Sequence, residues 1–439
     1  MNKNMNETID RALSLYENGQ ISKAEKLCKK ILRTDGKNIH ALITLGNIYY
    51  IQNDYNSAEN YYKKAVSVAD DNYPAMANLA NCLYEEKKYK QACNYAQKAI
   101  DLKKDDKLAY IILGNSSQEI DKIEEAVSSL LTAVNLDPTD SWAYNYLSQA
   151  YFKQRDYLKA ISCAWKAVKL SERNENAHHI NLGYLFYEIA LEEKIDSMVD
   201  CIKLWVKNYK DNPIVNYMGN ALLNNQKIKM ADTQYLQNIF DIFSTDFDSV
   251  LSGLDYKAPA LIEKMLGDIY KSNKHPRLKI LDIGCGTGLC GKFLKSYSKW
   301  RGLDGVDISE GMLKIAKTKK IYSRLIHSEM ISYLQKNPKT YDLMVAADVF
   351  TYVGDLQNLF EAVYDSLKKN GRILFTISEN TQNDKSYYLH ISGRFVHSLE
   401  YIKFILNKSM LEIEKVERKK LRNEGENNVM GYVISAIKK

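Results

Sequence analysis

The sequence predicts an α plus α/β chain, with a solenoid of paired helices over 1–230 and then, over 277–439, an open parallel sheet flanked by helices and closed by an antiparallel strand. Three observations carry this. Small residues recur every 34 positions from Ala24 to Ala160, and from Lys279 onward short apolar runs alternate with helical ones. The stretch KILDIGCGTG, Lys279 to Gly288, sets three glycines directly after an apolar run. Only 6 prolines and 20 glycines in 439 residues leave little chain for long loops, and a chain of this length with 45% hydrophobic residues is expected to form more than one domain.

The repeat is read from its phase. Ala24, Ala58, Ala92, Ala126 and Ala160 share one register, while Ala12, Gly46, Ala80, Gly114 and Ser148 share another. Leu45, Leu79, Leu113 and Leu147 recur beside the second set. Small residues where two helices cross closely, with bulky ones filling the gap to the next pair, are the tetratricopeptide pattern. Five units are expected, over 5–38, 39–72, 73–106, 107–140 and 141–174, and Pro138 stands where a helix should stop. Beyond 174 the phase weakens. Gly183 nearly fits, Ile195 to Tyr209 reads as an amphipathic run and Pro213 interrupts, so 175–230 is expected to hold degenerate repeats and a capping helix. Arrays of this kind often take a peptide on the concave face. Asn47, Asn81 and Asn115, at one phase, are candidates to grip its backbone or carboxylate, with Asn78 and Asn145 nearby; the alternative is that they are solvated helix positions.

The next segment, 231–276, is expected to supply connecting or lid helices: Phe240, Phe243, Phe247 and Leu251 recur at helical spacing, and Tyr256 with Pro259 marks a turn. Strands are then expected at 279–283, 302–307, 324–327, 341–347 and 371–378, with a helix after each of the first four. Leu411 to Val416 and Val429 to Ile437 suggest a closing hairpin. A strand, a tight glycine turn and a helix place a ligand beyond the strand's carboxyl end. S-adenosylmethionine is the ligand expected. Gly284, Gly286 and Gly288, with Cys285 among them, let backbone approach it, and Asp282 is placed to attract its amine. Asp307, 21 residues past Gly286, is placed to accept from both ribose hydroxyls, with Ile308 beside it. Met312, Glu329 and Met330 would flank or bind adenine, and Asp348 would stand near the sulfonium.

Gly286, Gly288 and Gly291 also spell GxGxxG, so a dinucleotide-dependent oxidoreductase is a competing reading. The leading Gly284 and the closing hairpin weigh against it. The segments FDSVLSGLDYKAP, ILDIGCGTGLCG, GVDISEGMLKIAKTKKIY, YDLMVAADVFTYVGDL and LHISGRFVHSLEYI resemble a family of methyltransferases of the class I, S-adenosylmethionine-dependent, Rossmann-like fold, some of which carry amino-terminal tetratricopeptide repeats. The resemblance covers about 240–439. It implies that Asp282, Gly284, Gly286, Asp307, Met312 and Glu329 contact the cofactor. Where that family more often ends its fifth strand in a Ser-Val-Glu type sequence, this chain has Thr376, Ile377, Ser378 and Glu379.

Candidates for the substrate pocket are Tyr352, Tyr388, His390, Arg394 and His397, with Arg394 suited to a carboxylate or phosphate. Ala347, Asp348, Val349 and Phe350 do not form the Asn/Asp-Pro-Pro-aromatic motif used on base nitrogens, and no Pro-Cys nucleophile occurs, which disfavours DNA base methylation. The net charge of +7 is spread along the chain instead of concentrated as a nucleic-acid binder's would be. Seven cysteines without metal spacing fit a reducing cytoplasm, and no apolar run reaches the roughly 18 residues of a membrane span. The expected activity is methyl transfer to a protein or small-molecule acceptor, with the repeats binding a protein. The alternative is an interaction scaffold whose cofactor domain is catalytically silent.

Overall fold

The computed structural model describes residues 2–171, 175–192, 198–271, 276–382, 386–424 and 427–439. The end of the fifth expected unit (172–174), the start of the expected amphipathic run (195–197) and positions 272–275 of the expected connecting helices lie outside the described residues. The chain forms two compact units, Met1–Leu185 and Phe186–Lys439.

The first unit contains, among the described residues, five helix pairs: α1 (Asn2–Glu17) with α2 (Ile21–Thr34), α3 (Ile39–Ile51) with α4 (Tyr55–Val68), α5 (Tyr73–Glu85) with α6 (Tyr89–Leu102), α7 (Lys107–Glu119) with α8 (Ile123–Leu136), and α9 (Ser141–Lys153) with α10 (Tyr157–Leu170). Each of the five in-phase alanines is fully buried. A methyl on Gly46 would run into the Tyr62 ring and one on Gly114 into Leu130, so the small register is imposed by the crossing of the two helices within a pair. Helix starts are fixed by side chains: Asn38, Asp54, Asn72, Asp106, Asp140 and Asp156 each accept a backbone N–H of the first turn. First helices of successive pairs pack on one another, α1 on α3, α3 on α5, α5 on α7 and α7 on α9, which puts them on the inside of the curve. Asn47 accepts from the Tyr62 hydroxyl (2.7 Å) and Asn78 (3.0 Å), and Asn81 donates to the Tyr50 hydroxyl (2.9 Å). Two of the three asparagines expected to grip a ligand therefore tie neighbouring helices together.

The division falls within α11 (Asn176–Leu191), ahead of the boundary expected at 230. The reason is packing. Phe186 lies against Trp205 of α12 (Val199–Asn208), the rings 5.8 Å apart, and Tyr217 of α13 (Pro213–Leu222) stacks near Tyr235 of α14 (Thr233–Phe243) at 4.3 Å. The Tyr217 hydroxyl also donates to the Gly393 carbonyl at 2.9 Å.

After α14 come α15 (Phe247–Gly253) and α16 (Ala258–Ile269), then alternating β1 (Leu278–Ile283), α17 (Gly291–Tyr297), β2 (Ser298–Asp307), α18 (Glu310–Thr318), β3 (Arg324–His327), α19 (Met330–Gln335), β4 (Tyr341–Ala346), α20 (Gln357–Ser366) and β5 (Leu367–Ser378). A short hairpin, β6 (Tyr387–Leu389) and β7 (Phe395–His397), and α21 (Leu399–Lys408) precede the long pair β8 (Leu411–Glu424) and β9 (Asn427–Lys438). The sheet order is β3-β2-β1-β4-β5-β9-β8. β1 to β5 are parallel, and β9 is antiparallel to both β5 and β8, pairing Phe375 with Ile434 and Val416 with Ile434. The closing hairpin thus inserts its second strand beside β5 and leaves β8 at the edge. Apolar side chains of the central strands feed two cores, one with Ile262, Leu266 and Leu294 from α16 and α17, the other with Leu334, Phe360 and Ile402 from α19, α20 and α21. The order reverses between β1 and β4, which opens a crevice at their carboxyl ends.

Candidate active site

β1 stops at Ile283 because Gly284 (φ +59°) turns the backbone into the left-handed region, and a Cβ there would press on Val349. Gly286 (φ +53°) follows, its N–H donating to Asp307 Oδ2 at 2.8 Å, while Ser309 N–H donates to Oδ1 at 2.8 Å. The carboxylate at the tip of β2 is therefore fixed by backbone donors, Gly286 on one oxygen and Ser309 on the other, and a carboxylate keeps acceptor capacity beyond them. Burial pushes its pKa up, opposed by the N–H groups of Ser309, Gly286 and Ile308.

A cavity of about 1030 Å³, part of it open to solvent, lies across these strand tips. Gly284 and Gly286 form its floor; Asp307, Ile308 and Met312 form one side, Ser328, Glu329 and Met330 the next, and Ala347, Asp348, Val349 and Tyr352 the last. Arg394 enters from the β6–β7 turn. Its roof is apolar: Met230, Leu236, Phe240, Phe247, Leu251 and Tyr256. The roof helices are held by polar contacts. Asp241 of α14 accepts from Ser309 Oγ (2.5 Å) and from the Gly311 N–H (2.9 Å) at the start of α18, and Asp248 of α15 binds Thr287 Oγ1 and Lys319 Nζ. Aromatic residues ahead of the sheet, expected as core or lid, are thereby cavity walls.

Several expected site residues take other positions. Asp282 does not line the cavity. It is buried and accepts from the Tyr322 hydroxyl at 2.6 Å; burial raises its pKa to about 7, with the Tyr322 bond opposing and Asp307 adding. Cys285 is buried behind the loop, its N–H bonded to Val306 O at 3.1 Å, and Gly288 (φ +92°) abuts the Tyr322 ring. Glu329 reaches the cavity, but both its oxygens accept N–H groups of Ile331 (2.9 Å) and Ser332 (2.7 Å), capping α19. Asp348, in the left-handed region at φ +60°, pairs through both oxygens with buried Arg422 Nη1 (3.1 and 2.9 Å). Arg422 also reaches Glu424 (3.3 Å), whose Oε1 accepts from Arg394 (2.5 Å), so four charges form one balanced chain.

Of the substrate-pocket candidates, the structure brings Tyr352 and Arg394 to the cavity and not the other three. Tyr388 and His390 sit on the β6–β7 hairpin, with His390 Nδ1 bonded to Ser392 Oγ at 2.9 Å. His397 is fully buried; its Nε2 faces the carbonyls of Val353 (2.9 Å) and Gly354 (3.2 Å), which makes Nε2 the protonated nitrogen, and burial lowers its pKa to about 4. Sequence reasoning passed over Tyr322 and Arg422. The first closes the segment GVDISEGMLKIAKTKKIY, past its helical run, and the second sits in the basic run KKLRNE, beyond the strand expected at 411–416.

The residues present fit S-adenosylmethionine. A carboxylate with spare acceptor capacity, bare backbone beside it and the apolar side chains of Ile308, Met312 and Met330 suit a ribose, a tail and a planar base. They do not suit a pyrophosphate in the GxGxxG loop, because Gly288 and Gly291 are both covered by the Tyr322 ring.

Residues 281–373 match the family model for a methyltransferase domain. Residues 9–74 and 129–162 match tetratricopeptide repeat models, and 51–133 match the model for anaphase-promoting complex, cyclosome, subunit 3. Malonyl-[acyl-carrier protein] O-methyltransferase of Bacillus anthracis is 26% identical over 148 residues, 34% of this chain and 54% of that protein. Phosphoethanolamine N-methyltransferase 1 of Zea mays is 27% identical over 149 residues, 30% of each. The chain spans about half the length of the first curated relatives it matches (54%, 50% and 54%). The solved structure of YrrB, a tetratricopeptide protein with an unusual peptide-binding site, aligns with a TM-score of 0.36 and 23% identity over 39% of this chain and 89% of its own.

Proposed function

We propose, from the premise that the chain joins tetratricopeptide repeats to a methyltransferase domain, that its second unit transfers a methyl group from S-adenosylmethionine to an oxygen that is already anionic, as in a carboxylate. The observation that carries the cofactor is Asp307, anchored by Gly286 and Ser309 and lining the cavity. When bound, S-adenosylmethionine supplies a methyl group activated by a sulfonium, so the protein's work is alignment and exclusion of water. Asp307 would hold the ribose and Met312 and Met330 the adenine, while Asp348, paired through both oxygens with Arg422, would add wall and no free charge. The roof of Phe240, Phe247 and Leu251 would keep solvent out.

The acceptor class follows from what the cavity residues are already doing. Each carboxylate that lines it is committed, Asp307 to backbone, Glu329 to the cap of α19 and Asp348 to Arg422. A neutral alcohol would need one of them as a base. An ionised oxygen needs none, and Arg394, which also bonds the Tyr352 hydroxyl, offers the cation to orient it. Relatives named as O-methyltransferases support an oxygen acceptor, whereas the N-methyltransferase relative marks the competing outcome. The proposed setting is a reducing cytoplasm, in keeping with seven free thiols; no described helix is long and apolar enough to cross a membrane.

Calorimetry with S-adenosylmethionine tests the cofactor. Wild type should bind, Asp307→Ala should not, and negligible heat with both leaves the scaffold reading in its place. Transfer of labelled methyl into lysate fractions tests the acceptor. Methyl esters, released by mild base, are expected; base-stable label would move the acceptor to nitrogen.

A further inference from the structure

The net charge of +7 is spread along the sequence, yet folding gathers unpaired cations at one corner of the second unit. β1, β2 and β3 are parallel neighbours, so their amino ends share an edge with the carboxyl ends of α17 and α18. That edge carries Arg277 ahead of β1, Lys295 and Lys317 in the last turns of α17 and α18, Lys299 and Arg301 in β2, and Lys320 ahead of β3. All are exposed, and none has an ion pair among the described residues. Asp304, the acid of these stretches, is buried and already serves Lys279 and Arg324, each at 2.6 Å.

Between Lys299 and Arg301 stands Trp300, 92% exposed, whereas Trp142 is 39% exposed and Trp205 is fully buried. The backbone pushes it outward. Leu278 pairs with Ser298 and Ile280 with Leu303, so Lys279 alone faces residues 299–302. Arg301 takes the left-handed region at φ +53°, and a Cβ on Gly302 would strike the Leu278 carbonyl. β5 makes the same bulge against β4: Tyr341 pairs with Leu367 and Leu343 with Arg372, Asn370 stands at φ +61° and Gly371 follows. Lys369 occupies there the place of Trp300, so the bulge does not require an aromatic tip.

We propose that this corner docks on the surface of an anionic lipid bilayer, with Trp300 entering the headgroup region and the surrounding cations lying against lipid phosphates and carboxylates. A ring with an apolar body and one N–H donor suits that boundary, and clustered Lys and Arg are drawn to an anionic leaflet. Single-stranded nucleic acid fits less well, because it is held by several rings that stack successive bases. Trp300 is the exposed ring of these stretches; Tyr297 and Tyr322 are half-buried, and Tyr322 packs on Gly288 and Gly291. No described helix is long and apolar enough to cross a membrane, so the attachment is peripheral. The cavity lies at the other, carboxyl ends of the same strands, and docking leaves its residues unengaged.

The test is cosedimentation of the full chain with vesicles of phosphatidylcholine alone and of phosphatidylcholine mixed with phosphatidylserine. The chain should bind the mixed vesicles and not the neutral ones, and more weakly as salt rises. Lys299→Ala and Arg301→Ala should each weaken binding by about fivefold, the share of one cation near an anionic surface. Lys403→Ala, at an exposed site on α21, should leave it unchanged. Trp300→Ala should melt with the wild type, since β5 makes the same turn without a ring, yet bind several-fold more weakly. On mixed vesicles with brominated acyl chains it should also lose most of the tryptophan quenching that the wild type shows. Equal binding to both kinds of vesicle, binding to neither, or unaltered affinity and quenching in Trp300→Ala overturns the inference. Tighter capture of a single-stranded or duplex oligonucleotide than of the mixed vesicles at equal salt also overturns it, and makes the corner a nucleic-acid surface.

Discussion

Asp307 carries two loads that substitutions can separate. Its oxygens hold the Gly286 and Ser309 N–H groups, and the same oxygens are proposed to receive the ribose. Asp307→Ala strands both donors in a buried place, so it should lower folding stability by about 1–3 kcal/mol as well as abolish cofactor heat. Asp307→Asn keeps an acceptor and should restore part of the stability while binding at least tenfold more weakly; urea melts and calorimetry on both variants check this. Asp282 makes a pH prediction. Its folded pKa, about 7, lies above the ordinary carboxyl value, so the protonated form is favoured on folding. Its contribution is complete below about pH 4 and is lost as pH rises through 7, with a slope of at most about 1.4 kcal/mol per pH unit. Asp282→Asn should remove that slope, so the gap between variant and wild type, measured by urea melts at pH 5 and pH 8 without cofactor, should move in the variant's favour at pH 8. An unchanged gap would mean that Asp282 stays ionised throughout.

At the scale of elements, the roof and the repeat give separate tests. α14 is pinned to the start of α18 by one carboxylate, Asp241, which serves Ser309 Oγ and the Gly311 N–H. Asp241→Ala should speed amide exchange across Thr233–Phe243 and weaken cofactor binding while leaving the sheet protected. Uniform exchange over both regions would show that the roof is not a separate cooperative piece. In the first unit, Gly114 lies where Leu130 crosses α7, so Gly114→Val should cost about 1–3 kcal/mol through overpacking. Gly36→Ala, where the nearest non-neighbouring atom stands off by 3.6 Å, should be close to neutral. Differential scanning of the two variants distinguishes a crossing constraint from a general intolerance of side chains.

Across the second unit, a polar connection runs from the tip of β4 to the closing hairpin. Arg422 of β8 is 1% exposed and holds Asp348 and Glu424, and Glu424 holds Arg394 of the β6–β7 turn. Arg422→Met leaves two carboxylates facing one arginine and should destabilise by about 3–5 kcal/mol, the usual result of removing one partner from a buried pair. Arg418→Met removes an exposed arginine from Glu379, which keeps the Tyr432 hydroxyl as a donor, and should cost about 1 kcal/mol. Equal losses in chemical denaturation would show that the Asp348 network is solvated.

What the sequence determined by itself is whatever depends on near neighbours. The 34-residue phase, the stop after Ile283, the acid at the end of β2 and the five parallel strands all follow from periodicity, glycine backbone freedom and short connections, which act within one or two elements. Only the tertiary structure decided which of the marked side chains share a cavity. Asp282 turned to Tyr322, 40 residues on, Glu329 was taken by its own helix, and His397 was drawn into the core beneath Val353. The domain boundary moved for the same reason, since α12 and α13 carry apolar faces that read as one more repeat yet pack with Phe186 and Tyr235. Polar side chains reach partners that no local rule names, because a buried donor or acceptor takes whatever the completed fold brings within hydrogen-bond distance.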